Sequence, residues 1–129
     1  MTILPNNLSA GVSKIEAPLV HKLCEFYKII YAILPKIPKK DRYGIYLKME
    51  NICLETIYLS ISASLEAKDK KLPLVKEMRI KIEILKRFVR ILKELNIIED
   101  KKYLNLETCL QEISKMTNGW IKFLIKQLN

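Results

Sequence analysis

The chain is poor in the residues that break helices. Only 3 glycines and 5 prolines occur in 129 residues, while Leu, Ile, Lys and Glu abound, a composition that favours helices. Histidine occurs once, at His21. A single imidazole excludes a His-based metal cluster, and neither HExxH nor ExxH is present. It also excludes the Arg-x4-His pattern of helical-bundle ribonucleases, because Ala17 stands four residues before His21 and Glu16 five before. No glycine-rich phosphate loop exists. Cysteine is odd in number, Cys24, Cys53 and Cys109 lie far apart, and no CxxC occurs, so reduced, partly buried thiols are expected rather than a disulfide framework. The longest purely apolar run, Ile29–Leu34, is too short to span a bilayer. Met1–Ser13 lacks a cationic segment followed by an apolar run, so no secretory signal is expected. Together these absences predict a cytoplasmic protein with no membrane contact, no metal and no cofactor.

What is present is helical periodicity. Leu72–Ile98 is the most informative stretch. At about 100° per residue, Val75, Met78, Ile82, Leu85, Val89 and Leu92 share one side. Ile84, Phe88, Ile91 and Leu95 widen that side to roughly 200°, more than one core requires. Pro73 suits the first turn of this helix, where a missing N–H costs nothing. Beside the apolar arc runs a row of cations, Arg79, Lys86, Arg90 and Lys93, flanked by Lys76 and Arg87 and interrupted by Glu83 and Glu94.

The net charge is +9, and Ala67–Ile98 alone holds 10 Lys/Arg against 4 acids. Such a stripe attracts phosphate backbones, anionic lipid or an acidic protein surface. A solvated lysine-rich face accounts for the charge equally well, so charge by itself does not choose between them.

Residues 1–14 carry Pro5, Asn6, Asn7, Ser9 and Gly11 without a period and are expected to form a flexible tail, leaving 15–129 as one bundle. The first helix is expected over Ala17–Leu34, with the stripe Leu19, Leu23, Phe26, Tyr27, Ile30 and Ile33/Leu34. Pro35 and Pro38 end it. The second is expected over Arg42–Lys68. Here Ile45, Met49, Ile52, Leu59 and Ala63 share one face, and Leu47, Leu54, Ile61 and Leu65 lie on nearly the opposite one. A helix apolar on two sides is buried on two sides, which predicts a homo-oligomer.

The loop 69–72 is short, so the second and third helices should be antiparallel neighbours. The third helix should end near Asn96–Asp100. The fourth is expected over Lys102–Leu128, with the stripe Leu106, Leu110, Ile113, Thr117, Trp120 and Leu124. Gly119, in its middle, costs up to ~1 kcal/mol relative to Ala and signals a close backbone approach or a bend. The fold class is therefore all-α, an up-down-up-down four-helix bundle.

Catalytic constellations are missing. Cys24 lies within one turn of His21, but no third group orients the pair. Glu50 and Glu55 do not share a helix face. A binding protein, not an enzyme, is expected. Trp120 is read as core rather than as a stacking platform because it lies in the apolar stripe.

Two segments carry a resemblance. Leu34-Pro35-Lys36-Ile37-Pro38-Lys39-Lys40-Asp41-Arg42-Tyr43-Gly44-Ile45 combines a proline-lysine turn with an Arg-aromatic pair before the second helix. Leu110-Gln111-Glu112-Ile113-Ser114-Lys115-Met116-Thr117-Asn118-Gly119-Trp120-Ile121-Lys122 is similar to the Glu-Ile-x-x-Met-x-x-Gly-Trp-x-Lys signature of accessory variability determinant proteins. The Leu/Arg-rich third helix, with Leu85, Arg87, Arg90 and Leu92, resembles that family too.

The resemblance implies a non-catalytic four-helix-bundle partner of the reverse transcriptase of diversity-generating retroelements. It further implies a ring-like homo-oligomer, pentameric in the family, that binds the polymerase and template RNA or other nucleic acid. Arg79, Lys86, Arg87, Arg90 and Lys93 are then the expected binding residues. Pro38, Arg42, Gly119 and Trp120 are the expected structural motif residues. Four-helix-bundle proteins encoded within ribosomal RNA intervening sequences share the proline-lysine-Arg turn, so an RNA-binding bundle without a polymerase stays open. So does a structural interaction module without nucleic acid.

Overall fold

The computed structural model describes residues 16–128. The expected tail over residues 1–14 lies outside the described residues. Helices α1 (Glu16–Ile33), α2 (Lys39–Arg42), α3 (Ile45–Leu65), α4 (Lys68–Glu94) and α5 (Asp100–Leu128) follow one another, with a 3-10 turn at Leu34–Lys36. No strand occurs among the described residues. The four long helices pack in cyclic order: α1 on α3, α3 on α4, α4 on α5, and α5 back on α1. The short connections make successive helices antiparallel.

The stripes of α4 and α5 lie where periodicity puts them. All six residues of the α4 set, Val75 through Leu92, are fully buried. So are Leu106, Leu110, Ile113, Thr117, Trp120 and Leu124 of α5, facing Leu19, Leu23, Phe26 and Ile30 of α1. Met116 and Phe123 pack at the edge of this core.

The core face of α3 is rotated from the expected one. Met49, Leu59 and Ala63 are buried as expected, but Ile45 and Ile52 are only partly covered. Tyr46, Cys53, Thr56 and Ser60 fill the core instead. The two small hydroxyls are tolerated there because each bonds back to its own helix: Thr56 to the Ile52 carbonyl at 2.7 Å and Ser60 to the Ile57 carbonyl at 2.7 Å. Tyr46 donates its hydroxyl to the Ile30 carbonyl, fastening α3 to α1. Leu47, Leu54, Ile61 and Leu65 point out, between 41% and 83% exposed. Within one subunit α3 is thus buried on one side only.

Helix boundaries shift by one or two residues in the first and last helices, the second helix ends at Leu65 rather than Lys68, and three further differences have an evident physical cause. The second helix does not run unbroken from Arg42. A single turn, α2, stops at Arg42, whose guanidinium folds back on the preceding loop, and α3 starts afresh after Gly44.

The third helix starts at Lys68 rather than Leu72, so Pro73 lies in its second turn. The missing proline N–H deprives only the Asp69 carbonyl of a partner, and Asp69 is exposed to water. The early start lets Lys71 reach back. Its ammonium donates to the Ala63 and Ser64 carbonyls at 2.8 and 3.0 Å, capping the end of α3.

The same helix ends at Glu94. Asn96 takes a left-handed conformation (φ 58°), and the Ile97 N–H bonds the Leu92 carbonyl while the Asn96 N–H bonds Lys93. This is the Schellman arrangement, with asparagine in the place glycine usually takes.

Candidate nucleic-acid and partner interface

The cations of α4 lie in one row, but the fold uses them unequally. Lys86 bends toward α5. Its ammonium is 3.0 Å from Glu83 and donates to Ser114 Oγ at 3.0 Å, which ties α4 to α5. Lys93 lies 5.0 Å above the ring of Tyr103, a cation–π contact between the same two helices. Arg90 stands 4.0 Å from Glu94, both about two-thirds exposed, so water screens the pair and it constrains Arg90 little. Arg79 and Arg87 are exposed and take part in no ion pair among the described residues.

Arg79 and Arg87 border a shallow concavity floored by Ile80 and Ile84, with Glu83 at its edge. Ile80 is 60% exposed and Leu95, further along the helix, 63%. The wide apolar arc read from the sequence therefore divides: six of its residues form the core and Phe88 packs at its edge, while Ile84, Ile91 and Leu95 are exposed. Ile80, which that arc does not include, lies open with Ile84 beside the two arginines.

Lys81, next in the chain after Ile80, points the other way and meets Glu55 of α3 at 2.9 Å. On the far side of the bundle, Lys22 meets Glu112 at 2.8 Å and joins α1 to α5. These two acids and their partners serve the assembly of the bundle.

Of the remaining motif residues, Arg42, Pro38 and Trp120 make contacts within the fold. Arg42 forks across the turn, donating from Nε to the Ile37 carbonyl at 2.9 Å and from Nη2 to the Pro35 carbonyl at 3.0 Å. Pro38 offers its carbonyl to the N–H groups of Asp41 and Arg42, and so starts α2. Trp120 is 1% exposed and belongs to the core. Gly119 is exposed within an unbroken α5, and a Cβ placed there meets no atom within 4 Å. No close backbone approach within the subunit accounts for it.

Chemistry of other kinds has little to stand on. Burial pushes the Cys53 thiol up to about 12, and burial also raises Cys109, so neither is poised as a thiolate. Cys24 is half-buried and His21 exposed. Among the described residues, no three His, Cys, Asp or Glu side chains converge to hold a metal, and no helix is long and apolar enough to cross a membrane.

One set of exposed cations lies outside the expected binding residues. Lys115, Lys122 and Lys126 stand on the outer face of α5, spaced by seven and four, and are exposed. That spacing is the available signal, but the apolar residues interleaved with it, from Met116 to Ile125, draw the eye to the core stripe and mask the row.

With this geometry in view, the comparison with known families is decisive. The bAvd-like family model matches residues 18–124, from the first turns of α1 to near the end of α5. The chain belongs to the bAvd-like family. The proline-lysine turn, Arg42 and the Gly119-Trp120 pair all fall inside the matched span of this bAvd-like chain. No curated protein and no solved structure matches it.

Proposed function

We propose that the chain is a non-catalytic accessory subunit of a diversity-generating retroelement reverse transcriptase. Membership of the bAvd-like family over residues 18–124 is the observation that carries this reading. In it the protein acts in the cytoplasm, with residues 15–129 forming one bundle. It holds the polymerase and its template RNA together while mutagenic cDNA is made.

Two surface features support the finer parts. The outward stripe of α3, Leu47, Leu54, Ile61 and Leu65, is apolar yet uncovered within one subunit. A ring-like homo-oligomer covers it, and the accessory variability determinant resemblance puts the copy number at five. Five copies would carry a charge of about +45, enough to steer RNA. Arg79, Lys86, Arg87, Arg90 and Lys93 supply the cationic surface. Arg79 and Arg87 lead, because Lys86 and Lys93 already have partners in the fold. Contacts of this kind carry affinity rather than a sequence code, so specificity comes from the assembly.

The test is binding of the purified chain to a structured RNA across a salt series, with particle mass by light scattering in the same buffer. Salt-sensitive binding by a closed oligomer is expected. A monomer indifferent to RNA contradicts the proposal.

A further inference from the structure

The outer face of α5 offers a second cationic row, which meets the row on α4 only where Lys115 and Lys86 line one groove with Glu83 and Glu112. At 100° per residue, Lys115, Gly119, Lys122 and Lys126 fall within an arc of about 60°. All four are exposed. None of the three lysines takes part in an ion pair among the described residues, whereas Lys86 of α4 is held by Glu83 and Ser114.

The glycine in the middle of this arc is the unusual feature. A glycine inside a helix costs stability, and such a cost is normally offset by something packed against the missing side chain. Inside this subunit nothing is packed there, since a Cβ at position 119 would meet open space. Whatever makes use of the gap comes from outside the subunit. Lysines stand one turn before it, one turn after it and two turns after it. The arc from Lys115 to Lys126 carries no apolar side chain of the kind a subunit contact needs. Point charges on flexible stems, strung along a stretch of helix with a bare position among them, suit a polyanionic backbone that runs along the helix and passes over the glycine.

The geometry points to α5 as a docking track for the phosphate backbone of a single-stranded nucleic acid, seated on Lys115, Lys122 and Lys126 with Gly119 as the place of closest approach. This deepens the nucleic-acid part of the proposed function and rests on it. It assigns a share of the binding to residues outside α4.

The test uses the full chain and a single-stranded uridine 20-mer, titrated over a salt series with particle mass followed in parallel. The double variant Lys122→Ala/Lys126→Ala is expected to bind more weakly. The slope of log affinity against log salt should shrink by about 1.4 units, since each neutralised single-strand phosphate contributes about 0.7. Gly119→Leu should weaken binding about fivefold or more by filling the gap. Its thermal midpoint should not fall, because leucine is the better helix former and meets no clash in the subunit.

Three results overturn the inference. If the wild-type chain binds and both variants bind as it does, the track is refuted while nucleic-acid binding through α4 stands. If Gly119→Leu dissociates an oligomer and leaves binding intact, the glycine serves a subunit contact instead. If the wild-type chain does not bind, the inference falls together with the nucleic-acid reading.

Discussion

The Lys71 ammonium sits 3.5 Å from the Glu16 carboxylate, both side chains being nearly removed from water. The pair pins the first turn of α1 to the corner where α3 passes into α4. Lys71 has further partners in the Ala63 and Ser64 carbonyls, but Glu16 Oε1 has none. Burial therefore raises the Glu16 carboxyl above its ordinary value, and the opposing pull of Lys71 does not cancel it.

A pH dependence follows. A carboxyl whose folded-state value lies above its unfolded one favours the folded state most at low pH, where it is neutral in both. That contribution is complete below about pH 4.5 and is lost as pH rises through the folded-state value. Glu16→Gln, neutral throughout, should therefore gain stability relative to the wild type between pH 4 and pH 7 in paired urea titrations. A constant difference across that range would mean that the Glu16 carboxyl titrates alike in the folded and unfolded chain, and that burial does not raise it. Lys71→Met should cost about 3 kcal/mol at pH 7, because it strands a buried carboxylate.

Trp120 is almost fully enclosed among α5's buried neighbours. Trp120→Ala should cost about 3–5 kcal/mol, seen as a large fall in thermal midpoint or loss of the folded chain. A variant that keeps the wild-type midpoint and loses only RNA binding would mean that the indole stacks on a base.

How far the fold was legible depended on where the determining contact lay. The buried stripes of α4 and α5 are local patterns, and periodicity alone placed Ile82, Leu85, Ile113 and Leu124 in the core. The core face of α3 was harder. Thr56 and Ser60 look like surface residues until their hydroxyls are seen bonded to their own helix. The start of α4 was misread because Pro73 is a strong local signal, while the contact that extends the helix to Lys68 is tertiary, from Lys71 to the end of α3. The cationic row was legible as a row. Its division was not, because Lys86 is held by Ser114, on a different helix.

That division gives a prediction of its own. Arg79→Ala with Arg87→Ala should weaken RNA binding and flatten its salt slope by roughly two units, with little change in thermal midpoint. Lys86→Ala should do the reverse in proportion, lowering the midpoint by loosening α4 from α5 while moving the slope less. Equal effects of both on the slope would show that Lys86 leaves Ser114 for the ligand.

The outward stripe of α3 is the candidate subunit contact. Leu54→Glu with Ile61→Glu places two carboxylates on that stripe, where each side chain is more than two-fifths exposed in the single chain. The subunit's own stability should change by no more than about 0.5 kcal/mol per site, and helical content should be unchanged. Light scattering should show the oligomer reduced to monomers. An oligomer of unaltered mass would move the contact to another face, with Ile80 and Ile84 of α4 next in line.

Assistance to a retroelement polymerase is read out by cDNA synthesis. The reverse transcriptase and its template RNA are assayed with and without the purified chain, measuring template-primed product. Product should appear, or rise strongly, only when the chain is present, and Arg79→Ala/Arg87→Ala should reduce it. Equal synthesis in its absence, with no co-purification of chain and polymerase, would mean that the chain is no accessory subunit of that enzyme.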